Sequence, residues 1–557
     1  MGLKNNWVGY VERGYYDIKQ SILNRVKTSV PEITDFTESN IFVIIISIFA
    51  GLIEQVNYYI DQLMRESFLP TARRYTSAVN LTRIIDYRIK AANPASTDLT
   101  VTLLDGNDDP FNIQYGQSEL IPEDTEIIIN GLPFIVTKDI TIQYPFNQGL
   151  VPVAQFELNE ESFNITNSGP NMVFGLGTDY VHNSMAVVIN GTTWDLVTTF
   201  GRSTSTDTHF IVDIKADGIA YLQFGDGING AIPVNGDSVV LSWKKTSGPG
   251  GNLVAQSINE ISDTLVNLTY ATKLQLVNYN NITSGAAYEN LERIKTNAPL
   301  SLRTLDRAVT RQDYIDVAKM HPGVNKANIQ YTCGKYVELF ISPMGGGIAS
   351  TALLDAVTAY FDDYRMITTF VNIRPTGESQ IVLSLEITGR PRMKSQDIVA
   401  QVKPVLLEEY GYDKSDVNRA IRVSDIYALV DNQEMVDYVN IKNLYLIPYF
   451  FPVNYDIPLN KVFTLIGTNT KLTFRLIFVS GTTFHLYRSG DFETAITTGS
   501  EYDNGLFKIT PQAGTYDNSS IWEFTIYPAK KDIELSDYSI PILEDGNLTL
   551  SIKEVLV

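Results

Sequence analysis

Four histidines, His182, His209, His321 and His485, are the first residues to test for chemistry, because imidazole serves both as metal ligand and as general base. No two stand at metal-site spacing, and HExxH and CxxC are absent, so turns and strands are their expected places. The acidic trio Asp105, Asp108 and Asp109 in LLDGNDDPF has the charge for calcium. It lacks the EF-hand spacing and the closing glutamate, which leaves a solvated turn. Glu123, Asp124 and Glu126 mimic a hydrolase carboxylate pair, yet such neighbours are ordinary on a chain with 63 acidic residues. The glycine-rich GPGGN, with Gly248, Gly250 and Gly251, would cradle an anion in a backbone nest. With no following lysine or helix start, a sharp inter-strand turn is the better reading. Arg73, Arg74 and Arg83 fall on one expected helical segment. They would contact phosphate, but pairing with acidic neighbours suits this chain better. No GxxxxGK[ST], no GxGxxG opening a helix and no GxSxG elbow occurs. The sequence therefore predicts no catalytic residue, no metal and no cofactor.

The elements that would position such residues point elsewhere. The chain has 557 residues, enough for three to four domains, and 44% of them are hydrophobic, enough for packed cores. A net charge of −20 argues against a general nucleic-acid binder, which needs a basic face. The single cysteine, Cys333, excludes an intrachain disulfide and fits a reducing cytoplasm, with a small core residue as its expected role. No signal peptide is expected from MGLKNNWVGYVERGYYDIKQ, and Asn6 stands where myristoylation requires Ser or Thr. The apolar run 41–53 is too short for a membrane span, so a buried helix without membrane insertion is expected.

The organisation predicted is α+β and multidomain. Helices fill 1–95, the first over 10–29 with Ile18, Ile22 and Val26 in step and Pro31 ending it. A second begins near Asn40. Along it Phe42, Ile45, Phe49, Leu52, Val56, Tyr59 and Leu63 alternate three- and four-residue steps, a seam of about three heptads. Its first half is apolar on every side and must be covered all round. Periodicity alone favours an ordinary intrachain core over a bundle completed by other chains.

Residues 96–285 read as a β-rich domain, or two small ones. LTVTLL, EIIIN, PFIVT, MAVVING, HFIVDI, AYLQF and SVVLSW alternate as strands do. Asn130-Gly131, Asn190-Gly191 and Asp226-Gly227 mark tight turns. A helix is expected over 288–297 and another after Thr310. Two split α/β sandwich modules follow, over 286–376 and 377–454. The second runs strand IVLSLEIT, helix SQDIVAQVKPVLLEEY, helix VSDIYALV and strand VNIKNLYLI. Residues 455–557 read as a separate C-terminal β module, sandwich-like.

Three blocks together resemble the Baseplate J-like family, the wedge subunits of contractile phage tails and related injection machines. The first is YYID, then ESFLPTA, then NLTRIIDYRIKAANPAS, in which Pro94 would break the helix before the sheet. The second is FGDGINGAIPVNGDSVVLSWKKTSGPGGNLVAQSI, with Gly225, Asp226 and Gly227 as a structural turn and the GPGGN turn after it. The third is APLSLRTLDRAVTRQDYIDVAKMHPGVNKANI, in which Thr310 caps a helix and Asp313 suits its dipole. The similarity covers roughly residues 35–450, leaving the C-terminal module outside.

The resemblance implies a scaffold, not an enzyme: a virion tail baseplate protein, assembled in the host bacterial cytoplasm. It implies an inner ring around the hub, closed by geometrically strict contacts, whose rearrangement releases the sheath. Implied partners are other wedge proteins, a second copy of the chain, ring neighbours, and hub or sheath-initiating proteins. On that picture the seam belongs to an inter-subunit bundle, which reverses the odds from periodicity, and the α/β modules carry ring contacts. A receptor- or glycan-binding role for the aromatic-rich C-terminal module is the main alternative. A tail-associated hydrolase is disfavoured by the lack of an acid–base or metal constellation.

Overall fold

The computed structural model describes residues 14–447 apart from 31, 86, 145–146, 216, 263–267, 306 and 332–335, and then 451–452, 459–462, 472–480, 483–497, 502–503, 508–511, 521–526, 532–533, 535 and 539–553. Cys333, Pro31 and residues 1–13 lie outside the described residues. The architecture is α+β and multidomain: helices first, two large antiparallel-rich sheets next, then α/β modules and further strands.

Helix α1 (Tyr15–Ser29) folds back on helix α2 (Ile41–Glu66), and the Tyr15 amide donates to Glu54 Oε1 at 3.2 Å. Asn40 starts α2: its side chain accepts from the Phe42 amide and is itself held by Asp35. Helix α3 (Tyr75–Ile84) is shorter than expected. Arg73 and Arg74 precede it, with their amides on the Glu66 carboxylate. Only Arg83 is helical, and it pairs with Asp213 at 2.9 Å, the acidic pairing expected of it. Pro94 does not end this helix, which stops ten residues earlier. An extended stretch, 87–95, makes the passage to the sheets.

The β region holds two large sheets and a two-stranded pair, Ser118–Ile121 with Ile140–Gln143. One has six strands, built around Ser96–Leu104, Gln148–Gln155 and Lys273–Val277. The other has seven, with Ser238–Lys245 next to its edge strand Glu157–Asn164. Every strand motif named from the sequence over 96–285 forms a strand. Asn130, Gly131, Asn190 and Gly191 all take positive φ, as paired hairpin turns require.

Helix α4 covers Leu291–Thr304, not 288–297. The Asn290 side chain caps it by accepting from the Arg293 amide, and the helix runs on through Pro299. Helix α5 (Arg311–Met320) opens with a full capping box between Thr310 and Asp313. The first α/β module is a three-stranded sheet, Val324–Tyr331, Tyr336–Pro343 and Phe370–Pro375, with α5 and helix α6 (Thr351–Phe361) sharing its core.

In the second module, helices α7 (Ser395–Glu409) and α8 (Val423–Asp431) pack on the long hairpin of Gly377–Gly389 and Val436–Ile447. Its sheet does not close at 454. Strands Ser539–Ile542 and Leu548–Lys553 return from the C-terminal region and pair in parallel with Gly377–Gly389. Residues 455–557 are thus not wholly a separate module: only the strands between 459 and 526 form sheets of their own. Glu386, held by Lys442 and Lys553, has its carboxyl pushed down to about 2 by those hydrogen bonds, and so ties the returning strand to the hairpin.

Candidate functional site: an uncovered apolar helix

All seven seam residues of α2 are exposed, from 44% at Ile45 to 70% at Leu63. Only Val43, Ala50 and Arg65 are buried on the whole helix. The reason is geometric. At about 100° per residue, Val43, Ser47, Ala50, Asn57 and Asp61 form one stripe of less exposed residues, and Glu54, which accepts from the Tyr15 amide of α1, lies along it. The opposite side, from Ile44 round through Leu52 and Phe49 to Met64, sweeps roughly 200° of the circumference. One packed neighbour takes a stripe of about 100°. The bare arc therefore needs at least two further helices, or an apolar medium, to cover it. Isolated exposed apolar residues are common, but fourteen on one 26-residue helix form a continuous patch of the kind that marks an interaction site.

The helix also alters one expectation. The run 41–53 is short, but the helix built from it is long and apolar enough to cross a membrane by length and composition. The expected absence of membrane insertion therefore does not follow from length.

The other singled-out residues lie in turns, held by close backbone approach at Gly225 and Gly251 and by hydrogen bonds at Asp226. A Cβ on Gly225 would stand 2.4 Å from the Gly230 backbone, so the two glycines pinch the loop shut. Asp226 accepts from the Asn229 and Ile228 amides at 2.6 and 2.9 Å, and those bonds hold its carboxyl below the usual carboxylate range. Gly227 takes φ +86°. The GPGGN segment is not a plain inter-strand turn. Gly248–Gly251 forms a 3₁₀ turn wedged between the sheets, where a Cβ on Gly251 would meet Ala95 at 2.8 Å and one on Gly285 would meet the Gly248 carbonyl oxygen at 2.3 Å. Gly250 meets only Ser247, at 3.4 Å.

Sequence reasoning missed the polar junctions that join the parts. Ser96 Oγ lies 2.9 Å from Ser284 Oγ and 2.7 Å from Ser350 Oγ, linking both sheet ends to α6. Asp98 caps α6 through the Thr351 amide and hydroxyl. Glu289, buried, accepts from Tyr87, Lys90 and Asn297. Lys326 donates to the carbonyls of Tyr412 and Ser415, joining the two α/β modules. His321 is buried and packs edge-to-face with Tyr360; burial chiefly, then the charges of Lys90 and His321, push the His182 imidazole down to about 3. These groups carry little local sequence signal: apart from Asn297, eight positions from Glu289, the partners named lie tens to hundreds of residues away. Among the described residues no group of three or more metal-ligating side chains gathers. Among the described residues the hydrogen-bond partners of this serine cluster are backbone groups and one another.

No family model and no curated protein matches this chain. Among solved structures it is similar to a component of the anti-feeding prophage baseplate, at 12% identity over 79% of this chain and 90% of that one, with a TM-score of 0.28. It is also similar to a component of the TssK-TssF-TssG baseplate subcomplex of the type VI secretion system, at 10% identity over 42% of this chain and 50% of that one, with a TM-score of 0.21. Likeness at this level fixes neither a shared fold nor a shared activity.

Proposed function

We propose that this chain is a structural subunit of a contractile-tail or injection-machine baseplate: a wedge protein of the Baseplate J-like kind. In this reading it joins the inner ring around the hub and passes on the rearrangement that releases the sheath. The observation that carries the reading is the bare arc of α2, which the described residues build and do not cover. The three sequence blocks, in the family's order, supply the identity of what covers it: helices of another wedge protein and of a second copy. The proposed role is assembly rather than catalysis, and the proposed setting is a tail baseplate put together in a bacterial cytoplasm. The parts serve it as the boundaries suggest. The helices reach partners, the sheets act as a rigid spacer, and the α/β modules carry ring contacts.

The test is native mass spectrometry after co-expression with the neighbouring tail genes. A defined hetero-oligomer with another wedge protein is expected, and Phe49→Asp or Val56→Asp abolishes it. Assembly untouched by either substitution overturns the proposal. A second reading, membrane insertion of α2, is favoured by its length and composition. Flotation of the purified chain with lipid vesicles, lost in the same two variants, would support that reading instead.

A further inference from the structure

Four Asn-Gly pairs lie among the described residues: Asn130-Gly131, Asn190-Gly191, Asn229-Gly230 and Asn235-Gly236. Such a pair is reactive. Glycine has no side chain to shield its amide nitrogen, which can therefore reach the side-chain carbonyl carbon of the preceding asparagine. Closing that ring needs two freedoms: the asparagine side chain must swing, and the glycine amide must be unbonded.

The fold removes one freedom or both at three of the four pairs. Asn190 donates from Nδ2 to Asp237 Oδ1 at 2.7 Å and accepts from the Ser238 amide at 2.9 Å. The Gly230 amide donates to the Thr204 carbonyl at 3.0 Å. The Gly236 amide donates to the Ile165 carbonyl at 2.8 Å, and Asn235 Oδ1 accepts from the Ser168 amide at 2.6 Å. Asn130 differs. Among the described residues neither its side chain nor the Gly131 amide has a hydrogen-bond partner, and both residues are exposed.

Position sharpens the contrast. Asn190-Gly191 joins Ala186–Ile189 to Thr192–Leu196, two interior strands of the seven-stranded sheet. Asn130-Gly131 joins Leu132–Val136 to Glu126–Ile129, which is the edge strand of the six-stranded sheet. A four-residue strand held on one side opens more readily than one held on both.

We infer that Asn130 is a site of spontaneous deamidation, singled out by the fold from the other three described pairs. The Gly131 nitrogen loses its proton and bonds to Asn130 Cγ, and the side-chain nitrogen leaves as ammonia, giving a succinimide. Water then opens the ring at either carbonyl, to aspartate or isoaspartate. Water is the only co-reactant. The product adds a negative charge to a chain already at −20. The iso form also inserts a carbon into the backbone of a two-residue turn that sets the hairpin register. Ile127 and Ile129 hang on that register, and both belong to the sheet core. Each copy so acquires a mark of its age at the rim of a sheet, whatever covers α2.

The test is peptide mapping by mass spectrometry of the full chain, held for days at physiological temperature and mildly alkaline pH. Asn130 is expected to convert at least about tenfold faster than Asn190, whose two hydrogen bonds must break first. Asn229 and Asn235 should lag likewise. In strong urea all four should convert at similar rates, since each precedes a glycine. An Asn130 that stays intact, or converts no faster than the other three, overturns the inference. The same lead persisting in urea also overturns it, because the selectivity would then come from neighbouring sequence and not from the fold.

Discussion

The Tyr87 hydroxyl lies 2.7 Å from Glu289 Oε1, across 202 residues of chain. The two residues close a neck. Asn93 bridges Ala286, and the Ser96 amide donates to Ser284 Oγ, so the chain enters and leaves the sheet region through one buried polar joint. Removing the hydroxyl leaves a buried carboxylate with fewer donors. Tyr87→Phe is expected to cost about 1–3 kcal/mol in urea unfolding. An effect within error would show the joint is redundant.

The two sides of α2 should respond oppositely. Val43 is 1% exposed beneath α1, and Phe49 is 57% exposed. Val43→Asp is expected to destabilise the hairpin by roughly 2–4 kcal/mol, because it buries an unpaired charge. Phe49→Asp should stay within about 0.5 kcal/mol of the parent while losing partner binding. Thermal melts of both variants beside a pull-down read the two effects separately.

Acid should weaken the fold through His321. Burial pushes its pKa down to about 3, and the charges of Lys90 and Arg293 add to the shift. The unfolded chain takes up the proton first, near pH 6.5, so stability from this group is complete above about that pH and falls as pH drops toward 3. The expected slope is about 1.4 kcal/mol per pH unit. Urea midpoints for the parent and His321→Gln across this range check it, and identical slopes would refute it.

Gly225→Ala tests the pinched loop. Its Cβ would stand 2.4 Å from the Gly230 backbone, which has no flexible side chain to move aside. A loss on the order of 2 kcal/mol or more is expected. Gly116→Ala, where nothing stands within 4 Å but φ is +85°, should cost less.

Local signals were legible and distant ones were not. Asn40 and Thr310 mark helix starts because a cap acts within three residues. Asn130-Gly131 and Asn190-Gly191 mark hairpins because the turn itself demands positive φ. The start of α4 was misplaced because Tyr288 and Glu289 look helical, while Asn290 is the cap and Glu289 turns inward to Tyr87. The seam on α2 was visible as a period, but its 200° breadth was not. That depends on how little α1 covers. The serine cluster and the Lys326 contacts join residues whose spacing carries no pattern.

The strands at 539–542 and 548–553 give the second module an unusual assembly history. Leu385 waits for Ser551, 166 positions further on, before its last neighbour along the sheet is in place. A nascent chain interrupted anywhere in between exposes a bare backbone rim, ready to zip onto any extended peptide nearby. Synthesis must outrun that hazard, so clipped products should clump, while intact ones seal themselves only once the far strand docks.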